Sequence, residues 1–461
     1  MTEKLVVIGA DAAGMTAASQ ARKLKSAEEL EIVALERGNF TSYSACGIPY
    51  YVSGAIDDFD SLIVRTPEEF RDKQQIDARI RHEVTDVDLD RRVVMVTDLD
   101  GRRSYEEGFD QLLIATGSHP IRPPIPGIDA PGVFGVQTLD DGVAIDQAIE
   151  ADEPRRAVVV GGGYIGLEMA EALVMKGLDV SLVELAPQPM PGLDPDMGEW
   201  VGRNVRDLGI ELFTSEPLTG VETEGGRVSA VVTANHVLPA DIVVLGIGAR
   251  PNVDLSAKAG VPIGPSGGIA VDPKMRTRVD GVWAAGDCAE KFHRISLRPV
   301  AVALGTHANK EGRVAGLNLG GGYATFPGVV GTAVSKVCDL EVARTGLKES
   351  EVEEAGFDFV TAVVDSTTRA GYFPGAAPIK TKLIAERRSG RLLGAQIVGR
   401  EGAAKRIDVL AAALWNDMTV VEILQLDLSY APPFAPVWDP VLIAARKAWD
   451  EVQQETPPRI D

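Results

Sequence analysis

The sequence predicts an α/β chain with two Rossmann-like dinucleotide-binding units, followed by a third region of mixed strands and helices. Two matching segments and one change of composition carry that expectation. The first segment, Leu5-Val6-Val7-Ile8, is an apolar run that breaks at Gly9-Ala10-Asp11-Ala12-Ala13-Gly14 and enters Ala- and Arg-rich helical sequence. Strand-like Glu31-Ile32-Val33-Ala34-Leu35 follows and ends at Glu36. The same order returns in Ala157-Val158-Val159-Val160 and Gly161-Gly162-Gly163-Tyr164-Ile165-Gly166. Helical residues 167–176 and a strand, Val180-Ser181-Leu182-Val183, then lead to Glu184. From about residue 326 onward the pattern changes to shorter strands and helices.

A buried strand, a glycine-rich turn, a helix and a second strand with an acidic end about 20 positions on form the dinucleotide-binding βαβ unit. The helix N-terminus offers unpaired N–H groups and partial positive charge to a pyrophosphate. Glycine lets the phosphate approach the backbone, and the terminal carboxylate accepts ribose hydroxyl protons. The second unit is complete in Gly161, Gly163, Gly166 and Glu184. The first keeps Gly9, Gly14 and Glu36 but has Asp11 where the middle glycine is expected. Two tight turns in a ligand-free parallel sheet would leave both acidic strand ends as coincidences.

The remaining elements follow in order. Leu112-Leu113-Ile114-Ala115-Thr116-Gly117-Ser118 reads as a strand ending in a Thr-Gly turn, and Pro120, Pro123, Pro124 and Pro126 after it mark a crossover between domains. Gly246-Ile247-Gly248-Ala249-Arg250-Pro251-Asn252 marks a second crossover, after strand-like residues 241–245. Residues 277–287 read as a strand ending in Gly286-Asp287, and residues 453–461 as a disordered tail.

Composition narrows the function classes. The chain has 461 residues, and 46 basic against 67 acidic side chains give a net charge of −21. That balance argues against a protein that coats nucleic acid or an anionic membrane. The three cysteines, Cys46, Cys288 and Cys338, are odd in number and far apart, unlike a secreted disulfide scaffold. No secretory h-region and no apolar run of membrane-spanning length is found. The expectation is a cytoplasmic protein without a metal centre.

In order, these landmarks resemble the two-dinucleotide flavoprotein disulfide reductases over essentially the whole chain. The resemblance implies two Rossmann-like domains, for FAD and for NAD(P)H, and a C-terminal α+β domain that makes a homodimer. The FAD domain would be discontinuous, residues 1–119 and 250–325, with the NAD(P)H domain at 120–249 and the dimerisation domain at 326–452. Gly9, Ala12, Gly14, Glu36, Thr116, Gly117 and Asp287 would then contact FAD. Gly161, Gly163, Gly166, Glu184 and Gly248 would line the nicotinamide nucleotide site. Glu184 would repel a 2′-phosphate, and Leu185-Ala186-Pro187-Gln188-Pro189-Met190 supplies no cation to hold one, so NADH is expected over NADPH.

Cys46 decides the subfamily. Glutathione- and lipoamide-type reductases carry two cysteines here, whereas this chain has Thr41 and Tyr51 at the positions five away from Cys46. Those enzymes also use a histidine near the C-terminus, and the last histidine here is His307. A one-cysteine mechanism remains. Oxidases and peroxidases of that class carry a histidine where this chain has Ala12. The coenzyme A-disulfide reductases have alanine there, and three further stretches resemble them. These are Ser42 with Cys46, Tyr372-Phe373-Pro374-Gly375, and residues 399–410 followed by Tyr430-Ala431-Pro432-Pro433. Ala45 departs from that subfamily, which has asparagine before the cysteine. The resemblance implies Cys46 as the redox thiol, Tyr372 and Tyr430 as proton donors from the partner subunit, and Thr16, Gln20, Arg22, Lys23 and Ser42 as coenzyme A contacts. Arg22, Lys23 and Lys25 would form a basic patch for its phosphates. A helix starting at Gly47-Ile48-Pro49 would lower the Cys46 pKa, while Cys288 and Cys338 are expected to be packed core residues. An NADH oxidase or peroxidase working through a Cys46 sulfenic acid, and a flavin redox sensor or electron-transfer protein, stay open as alternatives.

Overall fold

The computed structural model describes residues 2–455. Three five-stranded sheets organise them. The first has the order Val282–Ala284, Gln111–Ile114, Glu3–Ile8, Leu30–Leu35, Asp77–Arg79, and every pairing in it is parallel. A parallel sheet is covered on both faces, which is why its strands read as unbroken apolar runs. Leu5, Val7 and Ala34 pack toward the helices Ala12–Arg22 and Gly305–Leu319. Val6, Ile8, Val33, Leu112 and Ile114 face the opposite side, where Val94 and Val96 come from an antiparallel meander of residues 82–108.

The second sheet repeats this plan in the order Glu211–Thr214, Asp179–Glu184, Arg156–Val160, Ile242–Leu245, Val133–Gly135, again wholly parallel. One face packs on the helices Tyr164–Met175 and Pro195–Asp207, the other on a meander of residues 218–239. The third sheet is antiparallel, in the order Ala333–Val337, Leu340–Gly346, Leu392–Gly399, Pro378–Glu386, Phe359–Thr367. Its core joins the helices Ile407–Trp415, Val420–Leu424 and Pro440–Glu455.

The chain passes from the first sheet to the second and back along one seam. Ser118–Pro120 on the way out pairs antiparallel with Ala249–Pro251 on the way back. The second sheet's unit also docks on the third. Asp194, at the start of Pro195–Asp207, exchanges two hydrogen bonds with Gln396 and an ion pair with the buried Lys382, which also meets Asp196 and Glu349.

One expectation is corrected here. The tail does not begin at residue 453, because Pro440–Glu455 continues through Gln453 and Gln454 on the strength of its buried face, Val441, Ala444, Ala445, Ala448 and Val452. Residues 456–461 lie outside the described residues.

Candidate active site

Four neighbouring strands of the first sheet end at the groups the sequence singles out. Val282–Ala284 leads to Asp287, Gln111–Ile114 to Thr116 and Gly117, Glu3–Ile8 to Gly9, and Leu30–Leu35 to Glu36. Ligands of open α/β sheets bind in such a crevice beyond the carboxyl ends of the strands. The second sheet does the same with Gly161 after Val160, Glu184 at its strand end, and Gly248 shortly after Leu245.

The two turns are built alike. Gly9 has φ +98 and Gly161 φ +103, and a Cβ at either would sit 2.2 Å from the Ala115 carbonyl oxygen or 2.4 Å from that of Gly246. Both helices then start without a side-chain cap, Ala12 opening the first and Gly163 preceding the second, so their first N–H groups stay available. Each acidic strand end ties its own turn. Glu36 accepts from the Ala10 and Gly38 N–H groups at 2.9 and 2.8 Å, and Glu184 from those of Gly162 and Ala186 at 2.6 and 2.7 Å. Gly14 and Gly166 let each helix lie against its turn, where a Cβ would meet the Gly9 or Gly161 carbonyl oxygen at 1.9 and 1.8 Å. Bare N–H donors beside a fixed carboxylate suit a pyrophosphate and a ribose. The residues present therefore fit one dinucleotide in each crevice.

The Thr-Gly turn is locked to the returning crossover. Thr116 Oγ1 donates to the Asn252 carbonyl oxygen at 2.7 Å, and Asn252 Nδ2 donates to that of Thr116 at 2.8 Å. Asp287 accepts from Ser118 Oγ at 3.1 Å, and burial holds its carboxyl above the usual range. Sequence reasoning missed two residues beneath it. Buried Lys291 donates to the carbonyl oxygens of Gly286 and Ala289, and buried Glu311 accepts from the Gly286 N–H.

Cys46 lies between the two crevices. Ser42 N–H donates to the Ala10 carbonyl oxygen at 3.0 Å and Tyr43 N–H to Asp11 Oδ1 at 3.0 Å, which pins the cysteine's loop on the first turn. The short helix Ile48–Val52 then buries Ile48 and Val52 in the core shared with Leu167 of the second unit. The thiol is exposed in the chain. Its expected acidity is corrected. Surrounding protein pushes the Cys46 thiol up, and the carboxylates of Glu168, Asp287 and Asp11 push it the same way. A five-residue helix with Pro49 in its first turn does not outweigh three carboxylates. Glu168 was not singled out from sequence; it lies in the second unit's helix, accepts from Ser335 Oγ at 3.0 Å, and is raised by burial. Its only signal is its place two residues after Gly166.

The other cysteines are not equivalent. Cys288 is fully buried with its Sγ near the carbonyl oxygens of Ile114 and Ala285, as expected of a packed residue. Cys338 is a correction. It is half-buried at a turn with φ +50, its N–H donates to Glu171, and its thiol is pushed up to about 12 by burial and that carboxylate.

Thr16, Gln20 and Lys23 share the outer side of the first helix, with Thr16 Oγ1 donating to Asn309 Oδ1 at 2.8 Å. The basic patch expected around them is thinner than the sequence suggests. Arg22 donates to three carbonyl oxygens, of Gln74, Lys25 and Gln75, and Lys25 pairs with Glu3. Two of those carbonyls, of Gln74 and Gln75, come from a segment that sequence spacing does not place beside the helix. Lys23 remains exposed and, among the described residues, without an ion-pair partner. Tyr372 lies close enough to Tyr430 to raise its hydroxyl above the ordinary range. They stand on the third domain, and neither is among the groups that act most strongly on Cys46 of the same chain.

Among the described residues no helix is long and apolar enough to cross a membrane. Residues 3–305 match the pyridine nucleotide-disulphide oxidoreductase family, and residues 332–440 match the dimerisation domain of that family. The NAD(P)H sulfur oxidoreductase (CoA-dependent) of Pyrococcus abyssi is 40% identical, over 96% of this chain and 97% of that protein. An NADH oxidase of Methanocaldococcus jannaschii is 39% identical, over 96% of this chain and 98% of its own length. The crystal structure of reduced Bacillus anthracis CoADR-RHD superposes with a TM-score of 0.94 at 34% identity, over 98% of this chain and 81% of that one.

Proposed function

The chain belongs to the pyridine nucleotide-disulphide oxidoreductases, flavin enzymes that use FAD and NAD(P)H, and from that premise we propose that it reduces coenzyme A disulfide, or a related low-molecular-weight disulfide or persulfide, through Cys46. The observation that carries this reading is the place of Cys46, between a loop tied to one nucleotide turn and a short helix packed against the helix of the other, with the remaining cysteines held elsewhere. A single thiol so placed can store the oxidised state only as a mixed disulfide or a sulfenic acid. The relatives whose names mention coenzyme A favour the first. The oxidase reading has its own support in the Methanocaldococcus relative, while Ala12 lacks the histidine of peroxide chemistry.

Gly9, Gly14, Glu36, Thr116, Gly117 and Asp287, with Ala12 at the helix start, hold FAD. Gly161, Gly163, Gly166, Glu184 and Gly248 hold the nicotinamide nucleotide. FAD, when bound, supplies two-electron chemistry between that nucleotide and the thiol. The Cys46 thiolate attacks one sulfur of the disulfide, the S–S bond breaks, and a Cys46–coenzyme A mixed disulfide forms. The leaving coenzyme A thiolate takes a proton, with Tyr372 and Tyr430 of the other subunit as donors. Two-electron reduction of the mixed disulfide then returns Cys46 as thiolate and releases the second coenzyme A. The balance is NADH, one proton and one disulfide to NAD⁺ and two thiols. Thr16, Gln20, Lys23 and Ser42 contact the substrate, and Arg22 supports that helix from behind.

Mass spectrometry of protein purified without reductant tests the reading. An adduct of coenzyme A mass on Cys46 is the expected result, and a sulfenic acid there with rapid oxygen uptake would move the assignment to the oxidase. Glu184 further sets NADH above NADPH, and equal kcat/KM for the two nucleotides would overturn that preference.

A further inference from the structure

We propose that Asp11 is a positioning residue: its carboxylate fastens the Cys46 loop to the first glycine-rich turn and thereby sets where the thiol stands. The position is the one where a dinucleotide turn ordinarily has glycine, so a side chain there has to be accommodated. It does not cap its own helix, which has no side-chain cap bond. Asp11 reaches instead across 32 residues, and its Oδ1 accepts from the Tyr43 N–H at 3.0 Å. Beside it, Ser42 N–H donates to the Ala10 carbonyl oxygen at 3.0 Å. Two consecutive N–H groups of the loop are thus held by two consecutive residues of the turn.

The attachment continues to the thiol. Ser42 has φ +47, a left-handed kink between the two attachments to the turn and the segment that carries the thiol. Tyr43 bridges to Ile63, Ser44 N–H donates to the Leu62 carbonyl oxygen, and Gly47 N–H donates to that of Ser44. Cys46 lies inside this last closure. Without the Asp11 bond the loop would be anchored on the turn only by Ser42, a kinked residue.

The charge of Asp11 acts in the same direction. Its neighbours are Glu36 at the adjacent strand end, Asp287 after the strand two places away on the other side, and the Tyr43 hydroxyl, and burial pushes the Asp11 carboxyl up to about 6. Once ionised, it adds to Glu168 and Asp287 in opposing a Cys46 thiolate. The acceptor oxygen serves Tyr43 in either protonation state.

The inference rests on Cys46 as the reacting thiol, and the test separates the two. Cys46 alkylation by iodoacetamide is followed against pH in the FAD-loaded protein and in Asp11→Asn and Asp11→Gly, with FAD content measured on each and disulfide turnover measured alongside. Asparagine keeps the acceptor and loses the charge, so its alkylation profile keeps its shape with the midpoint moved down, and it loses less turnover than Asp11→Gly. Glycine keeps FAD but frees the loop, so turnover falls about tenfold or more and alkylation loses its wild-type profile. A wild-type profile and turnover in Asp11→Gly would overturn the proposal, as would equal damage from both substitutions. If Asp11→Gly releases FAD, Asp11→Ala, which removes the acceptor but keeps a Cβ in the turn, takes its place, and a wild-type profile and turnover there are the refutation. Full turnover by Cys46→Ser would instead sink the reading of Cys46 and leave the alkylation result for Asp11 standing.

Discussion

Lys291 and Glu311 are both fully buried and sit 3.4 Å apart beneath the turn that aims Asp287. The lysine binds the Gly286 carbonyl oxygen and the glutamate binds the Gly286 N–H, so both backbone polar groups of one residue depend on the pair. Lys291→Met leaves the carboxylate without its counter-charge and two carbonyls without their donor. A loss of about 3–5 kcal/mol follows in denaturant unfolding of the FAD-loaded protein, because one partner of a buried pair has been removed. Lys291→Met combined with Glu311→Gln recovers part of it. The pair also predicts a pH dependence. Burial raises the folded-state pKa of Glu311 from 4.5 to about 7, so its contribution is fully present below pH 4.5 and is lost as pH rises through about 7. Wild-type stability therefore falls across that window by more than that of Glu311→Gln. None of this was legible in the sequence, since nothing in a linear order says that residues 291 and 311 share a cavity. Glu36, Glu184 and Asp287 were legible, because their chemistry is written in a local spacing. The acidity of Cys46 was misread for the complementary reason. Its helix is local, but Glu168 arrives from another unit, 122 residues away (168 − 46).

The helices Ala12–Arg22 and Gly305–Leu319 touch backbone to backbone. A Cβ at Gly312 would lie 2.3 Å from the Ala13 carbonyl oxygen, and one at Gly316 would lie 2.3 Å from that of Ala17. The atoms met are backbone, which cannot rotate away, so the helices must separate. Gly312→Ala or Gly316→Ala is expected to cost about 1–3 kcal/mol by overpacking. The Gly312 change moves the end of the helix that faces the dinucleotide, and fluorescence of released flavin on dilution would report faster FAD loss from Gly312→Ala than from Gly316→Ala. Equal loss would place the effect in global stability. The βαβ units were legible as elements because strand, turn and helix follow without interruption. Glu311 and Gly312 were not, since their helix reads only as polar sequence with three glycines. The last helix was cut short for a related reason. Gln453 and Gln454 look like a tail, yet Val452 beside them is buried in the third domain.

At the scale of the molecule, the proposed function makes the site within one chain incomplete. Tyr372 and Phe434 are 78% and 74% exposed and Trp438 49%, in or beside the region that matches the family's dimerisation domain. Large aromatic groups left open together mark an interaction surface, and Tyr372 and Tyr430 stand beside each other among them. The net charge of −21 also leaves little cationic surface at the first helix for an anionic substrate, since Arg22 and Lys25 are engaged and Lys23 stands alone. On the proposed reading, residues of a second chain protonate the leaving thiolate and close the substrate site. A mixed dimer isolates this claim. Cys46→Ser protein has its tyrosines but no thiol, and Tyr372→Phe/Tyr430→Phe protein has its thiol but no donors. Each homodimer is expected to be slow in disulfide reduction. If donors act across the interface, the heterodimer contains one site with the thiol of the second chain and the tyrosines of the first. Tagged heterodimers purified on both tags should regain up to half the turnover of the wild-type dimer, with the unmodified thiol titrating once per dimer. If the tyrosines served their own chain, neither site would be whole, and the heterodimer would be as slow as its parents.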